Sequence, residues 1–75
     1  MFEKTVEILK PFIEGYNGEI TRDTRLMDDL GLSSLEVIEI VTAFEDAFGI
    51  EVPDRVIPTL TTVGSIVDYL EETVE

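Results

Sequence analysis

Phe2, Val6, Leu9 and Ile13 recur at the interval of one helical face, with Glu3, Lys4, Glu7 and Lys10 left for the other side. This predicts a first helix from about residue 2 to about residue 15. Pro11 falls inside it and removes the N–H that would bond to the Glu7 carbonyl, so a kink or an early end is expected there. Gly15, Asn17 and Gly18 supply a stop, and the connection ITRDTRLMDDLG follows. Ile20, Leu26, Met27 and Leu30 place apolar side chains in this otherwise polar stretch, the pattern of a loop laid across a core and not of a free linker.

The second helix carries the clearest signal. Ser33 is a good N-cap and Glu36 completes an S-x-x-E capping box, which leaves Ser34 in the first helical position. Val37, Val41, Phe44 and Phe48, flanked by Ile38 and Ile40, form an apolar stripe, while Glu36, Glu39 and Asp46 lie opposite; Gly49 is the C-cap candidate. Strand-like alternation would put glutamates in the core, so helix is the better fit despite the β-branched residues. In IEVPDRVIP, Pro53 and Pro58 bracket room for about one turn, because a residue before proline avoids the helical region. A last helix starts at Thr61 or Thr62 and turns Val63, Ile66, Val67, Leu70 and Val74 to one face, with Gly64 a mild weakness near its start. Each helix can bury its stripe only against the others. The expectation is a single all-α domain over residues 1–75, a four-helix bundle with a long first loop and a short or irregular third helix.

Charge narrows the partners. Seventeen acids against 5 bases give a formal net charge of −12, which repels a nucleic-acid backbone and favours basic protein partners. No apolar run approaches the roughly 18 residues of a membrane span, and MFEKTVEILK lacks the basic region and continuous apolar run of a secretory signal, so a cytoplasmic monomer is expected. The chain has no cysteine and no histidine, which removes thiol nucleophiles, Ser-His-Asp triads and the usual zinc sites. Asp23, Asp28 and Asp29 lack the spacing of a calcium loop, and the adjacent acids Asp28 and Asp29 read as solvated surface more readily than as an acid–base pair. A hydroxyl at a special position remains: Ser34 stands at the positive end of a helix macrodipole, among unpaired N–H groups that favour an attached phosphate.

The stretch DLGLSSLEVIEIVTAFEDAFGIEVPD resembles the central helix of acyl carrier proteins, whose motif runs D-L-G-x-D-S-L, then an acidic and apolar helix, then a short segment ending P-D. TRLMDDLG is similar to the loop leading into that motif, and LTTVGSIVDYL to the last helix. The resemblance thus spans nearly the whole chain. It implies an acyl-carrier-like bundle in which Ser34 carries a 4′-phosphopantetheine arm, donated from coenzyme A by a phosphopantetheinyl transferase. The arm's thiol would hold acyl groups as thioesters. The chain itself would be no enzyme but a non-catalytic substrate of acyltransferases and synthases, most simply those of fatty acid biosynthesis. A dedicated carrier for a polyketide, peptide or other specialised pathway is the alternative within this fold; an acidic helical interaction module without cofactor is the alternative outside it.

By the same resemblance, Glu36, Glu39, Glu45, Asp46, Glu51 and Asp54 match acids that dock onto basic patches of partner enzymes. Leu35, Val37, Ile38, Ile40, Phe44, Val52, Ile57, Leu60, Ile66 and Tyr69 match positions lining the space between helices where an acyl chain folds back, though each is also ordinary core by type. Two departures stand out. Ser33 replaces the usual aspartate, which preserves a cap but removes a charge beside the modified serine. Ile57 replaces a commonly small residue, and Pro58 interrupts a helix that is usually continuous, which predicts a shallower pocket suited to short or weakly sequestered chains.

Overall fold

The computed structural model describes residues 1–74, with side chains through residue 73; the expected facing of Val74 lies outside the described side chains. It is helical throughout its regular structure. Helix α1 spans Phe2–Leu9, α2 Ser34–Phe48 and α3 Val63–Val74, with single 3₁₀ turns at Lys10–Phe12 and Ile57–Thr59.

Of the two outcomes expected at Pro11, the early end is the one found. The α-helix stops at Leu9, well before the expected residue 15, and a 3₁₀ turn carries the chain through Pro11. Leu9 and Ile13 are buried, whereas Phe2 and Val6 are only half-buried. Thr5, which the apolar pattern passes over, is fully buried instead. Its Oγ1 donates to the Met1 carbonyl at 2.9 Å, so the hydroxyl enters the core already paired.

Along α2, Val37, Ile40, Val41 and Phe44 face inward as the stripe requires. Phe48 is half-buried, its ring stacked 6.3 Å from that of Phe44. Gly49 closes the helix in the left-handed region at φ 65°. On α3, Val63, Ile66, Val67 and Leu70 are buried. Thr62, not Thr61, holds the capping role: Ser65 N–H donates to Thr62 Oγ1 at 3.1 Å, and Thr62 N–H donates to Ser65 Oγ at 3.0 Å.

The long loop is stitched to α3. Gly64 N–H donates to Arg22 O at 2.8 Å, Val63 N–H to Thr24 O at 3.0 Å, and Leu26 N–H to Thr61 O at 3.0 Å, with Arg25 and Thr62 in a one-residue antiparallel bridge. Arg22 also pairs with Asp68 at 2.6 Å, and that hydrogen bond raises the guanidinium pKa above its ordinary value. Leu26 is thereby pinned in the core, where burial of a leucine contributes about 1.5–3 kcal/mol. Ile20 and Leu30 lie against the core as expected, but Met27 points outward and is 52% exposed. Gly64 is no weakness: an added Cβ would stand 2.8 Å from Arg22 O, so only glycine lets the loop approach this closely.

The expected irregular third helix reduces to the Ile57–Thr59 turn. Val56, Ile57, Thr59 and Leu60 each donate an N–H three residues back, to Pro53, Asp54, Val56 and Ile57. Pro58 has no N–H to give, and the turn does not lengthen into an α-helix.

Candidate functional site

Ser33 ends the loop in an extended conformation, and α2 begins at the next residue. The capping box is reciprocal: Glu36 N–H donates to Ser33 Oγ at 3.2 Å, and Ser33 N–H donates to Glu36 Oε1 at 3.0 Å. The first helical bond runs from Val37 N–H to Ser33 O at 3.0 Å. The N–H groups of Ser34 and Leu35 therefore precede the helical ladder and lend the end of α2 its partial positive charge. On the loop side, Asp29 Oδ2 accepts from Arg25 N–H at 2.8 Å, and Leu32 N–H donates to Leu26 O at 3.1 Å. These turns deliver the chain to Ser33 in a fixed path.

Ser34 is exposed, and its hydroxyl makes no side-chain hydrogen bond among the described residues. It borders a cleft of about 630 Å³. Leu26 and Met27 of the loop form one wall, Val37 and Ile38 of α2 a second, and Ile57, Pro58 and Leu60 the third. Charge is confined to Arg25, Asp28 and Asp54, with Arg25 Nη1 3.3 Å from Asp28 Oδ2.

Ten residues were matched to an acyl-lining role, and the structure distributes them. Val37, Ile38, Ile57 and Leu60 share the cleft with Ser34. Phe44, Val52, Ile66 and Tyr69, again with Leu60, surround a separate interior cavity of only about 10 Å³, room for about one water. Ile40 is fully buried and Leu35 is 65% exposed; neither lines either space. Ile38, read as a flank of the core stripe, is 48% exposed at the cleft. Arg25, Met27 and Asp28 were not read as cleft residues, because their facing depends on a loop path that has no periodicity. Pro58 was singled out, and it proves to be part of the wall.

Among the candidate docking acids, Glu39, Asp46, Glu51 and Asp54 are exposed. Glu36 and Glu45 are half-buried and hold structure as well: Glu36 closes the cap, and Glu45 Oε2 accepts from Val52 N–H at 2.7 Å, tying the segment after Gly49 to α2. Spacing alone gives no sign of the second bond.

The residues present fit a phosphate-linked arm. An unengaged hydroxyl stands where amide N–H groups can receive phosphate oxygens, and an apolar cleft adjoins it for a hydrocarbon cargo. The comparisons with known proteins agree. Residues 13–70 match the family described as "Phosphopantetheine attachment site". Over 75 residues the chain is 36% identical to the acyl carrier protein of Clostridium perfringens, covering 100% of this chain and 99% of that one. Over 72 residues it is 38% identical to the mitochondrial acyl carrier protein of Saccharomyces cerevisiae, covering 91% of this chain and 58% of that protein, so it spans little more than half of the yeast relative.

Proposed function

We propose that this chain, which belongs to the acyl carrier protein family and takes a 4′-phosphopantetheine prosthetic group, bears that group on Ser34 Oγ and carries intermediates of fatty acid biosynthesis. The observation that carries the reading is the exposed, unengaged Ser34 hydroxyl at the first position of α2, beside the apolar cleft. When bound, the group supplies the thiol that the sequence lacks, and with it a thioester link to acyl chains. The chain's own residues orient and shelter. Ser33 and Glu36 fix the start of α2, so the Ser34 hydroxyl is presented to a transferase in one geometry. Attachment forms the Ser34 Oγ–phosphorus bond and breaks the pyrophosphate bond of coenzyme A. Adenosine 3′,5′-diphosphate leaves, and the hydroxyl proton passes to a base of the transferase.

Val37, Ile38 and Ile57 offer apolar surface to the acyl chain. Glu39, Asp46, Glu51 and Asp54 present charge to basic patches of acyltransferases and synthases, where complementary charge speeds encounter without demanding slow release. In this reading the chain is a carrier and a substrate, not a catalyst. The near-complete alignment with a clostridial protein supports a freestanding, bacterial-type carrier of the cytoplasm. Ser33 in the aspartate position and Pro58 in the cleft wall favour a second reading, a dedicated carrier of a polyketide, peptide or other specialised pathway.

The test is to incubate the chain with coenzyme A and a broad-specificity phosphopantetheinyl transferase, then measure its mass. A phosphopantetheinyl gain that is lost in Ser34→Ala and kept in Ser33→Ala is expected; a gain that survives Ser34→Ala refutes the assignment. Loading of the product by a malonyl transferase supports the first reading, and loading only by an adenylating enzyme supports the second.

A further inference from the structure

The cleft at Ser34 and the interior cavity near Phe44 have one residue in common among those that line them, Leu60. The side chain is 6% exposed and stands between an apolar space of about 630 Å³ and one of about 10 Å³. We infer that Leu60 is the specificity-determining partition of the acyl site: it ends the cleft, confines bound chains to the outer walls, and keeps longer chains out of the core. The inference rests on the reading of Ser34 as the attachment point and adds the element that limits chain length.

The backbone around Leu60 makes the partition stiff. Leu60 N–H donates to Ile57 O at 3.0 Å, closing the 3₁₀ turn that Pro58 occupies. The adjoining carbonyl, Thr61 O, accepts from Leu26 N–H on the opposite wall at 3.0 Å. Moving Leu60 aside therefore breaks bonds on both flanks. Behind it, Val41, Phe44, Ile66 and Leu70 are already buried and close-packed, so the inner cavity gives no room until the leucine side chain is shortened.

A chemical tether tests this without a transferase. The chain has no cysteine, so Ser34→Cys is labelled at one position by butyl, octyl or dodecyl methanethiosulfonate, and methyl NMR shifts report where the alkyl chain lies. With Leu60 in place, all three labels are expected to shift Val37 and Ile57, while Val41 and Ile66 keep the positions they have in the unlabelled Ser34→Cys protein. In Ser34→Cys/Leu60→Ala, the dodecyl label is expected to shift Val41 and Ile66 and the butyl label to leave them unmoved. Ser34→Cys/Leu60→Val, a smaller truncation, is expected to show the same order at lower amplitude, which keeps the comparison available should the alanine variant not fold. A dodecyl label that shifts Val41 and Ile66 as strongly as Val37 with Leu60 intact overturns the partition, as does a folded truncation that gives no new shift. Because the tether is chemical, these results stand whether or not the transferase experiment places the arm on Ser34.

Discussion

Replacing Gly64 by alanine separates two opposite expectations. Helix propensity alone says that Gly64→Ala in α3 should stabilise the protein by about 0.8–1.0 kcal/mol. The contact with the loop says otherwise. The new methyl would stand 2.8 Å from the Arg22 carbonyl oxygen and 3.1 Å from Arg22 Cβ. Restoring an ordinary contact needs a retreat of roughly 0.5–1 Å. That stretches the 2.8 Å bond from Gly64 N–H to Arg22 O beyond good hydrogen-bond length. Overpacking costs about 1–3 kcal/mol and the weakened bond about 0.5–1.5 kcal/mol. After the propensity gain is set against these, a net loss of about 1–3 kcal/mol is expected, which lowers the melting temperature by roughly 5–20 °C in a domain of this size. Thermal and urea unfolding followed by circular dichroism measure it. Arg22→Ala is the control, because it keeps the backbone carbonyl and removes only a half-exposed ion pair worth about 0–1 kcal/mol. A Gly64→Ala protein as stable as the parent, or more so, would refute the argument.

Ser33→Ala removes the side-chain cap of α2 and is expected to cost about 1 kcal/mol, whereas Ser33→Asp retains the cap; comparing their urea midpoints with their rates of transferase modification separates the helical role of Ser33 from any role in recognition. Glu45→Ala is expected to lose about 1–2 kcal/mol of stability, because Val52 N–H loses its carboxylate acceptor. Glu39→Lys and Asp46→Lys, at exposed positions, are expected to stay within about 0.5 kcal/mol of the parent while slowing association with a basic partner enzyme at low salt. Stopped-flow association over a range of salt checks the last pair, and a rate unchanged by both reversals would exclude that face from docking.

Helix α2, its cap and its terminal glycine were legible because their signals are local: Ser33 and Glu36 are three residues apart, and the stripe from Val37 to Phe44 repeats within a few turns. The place of Ser34 followed from those. Pro11 announced a disruption but not its form, since a kink and an end cost the same missing bond. What stayed hidden depends on contacts between distant segments. Gly64 looked like a defect until Arg22 was seen against it, 42 positions away in the chain. Thr5 looked polar until its hydroxyl was found folded back on Met1 O. Glu45 looked like free surface, and Met27 looked like core. At the cleft, resemblance named Leu60 as one lining residue among ten, and only the cavities distinguish it from the others.

The bonds between the 22–26 loop and the 61–64 segment also set an order of events during synthesis. The loop, Ser34 and all of α2 leave the ribosome before Thr61, Val63 and Gly64 exist to receive or donate the stitching bonds. Local signals can shape the cap around Ser34 early, because helix formation needs only neighbours. The walls of the cleft wait for a closure across some forty residues, the kind of non-local pairing that comes late and slowly. A nascent chain therefore presents its serine before it has shelter for a cargo, and a cleft competent to hold one appears only when the final helix has been made.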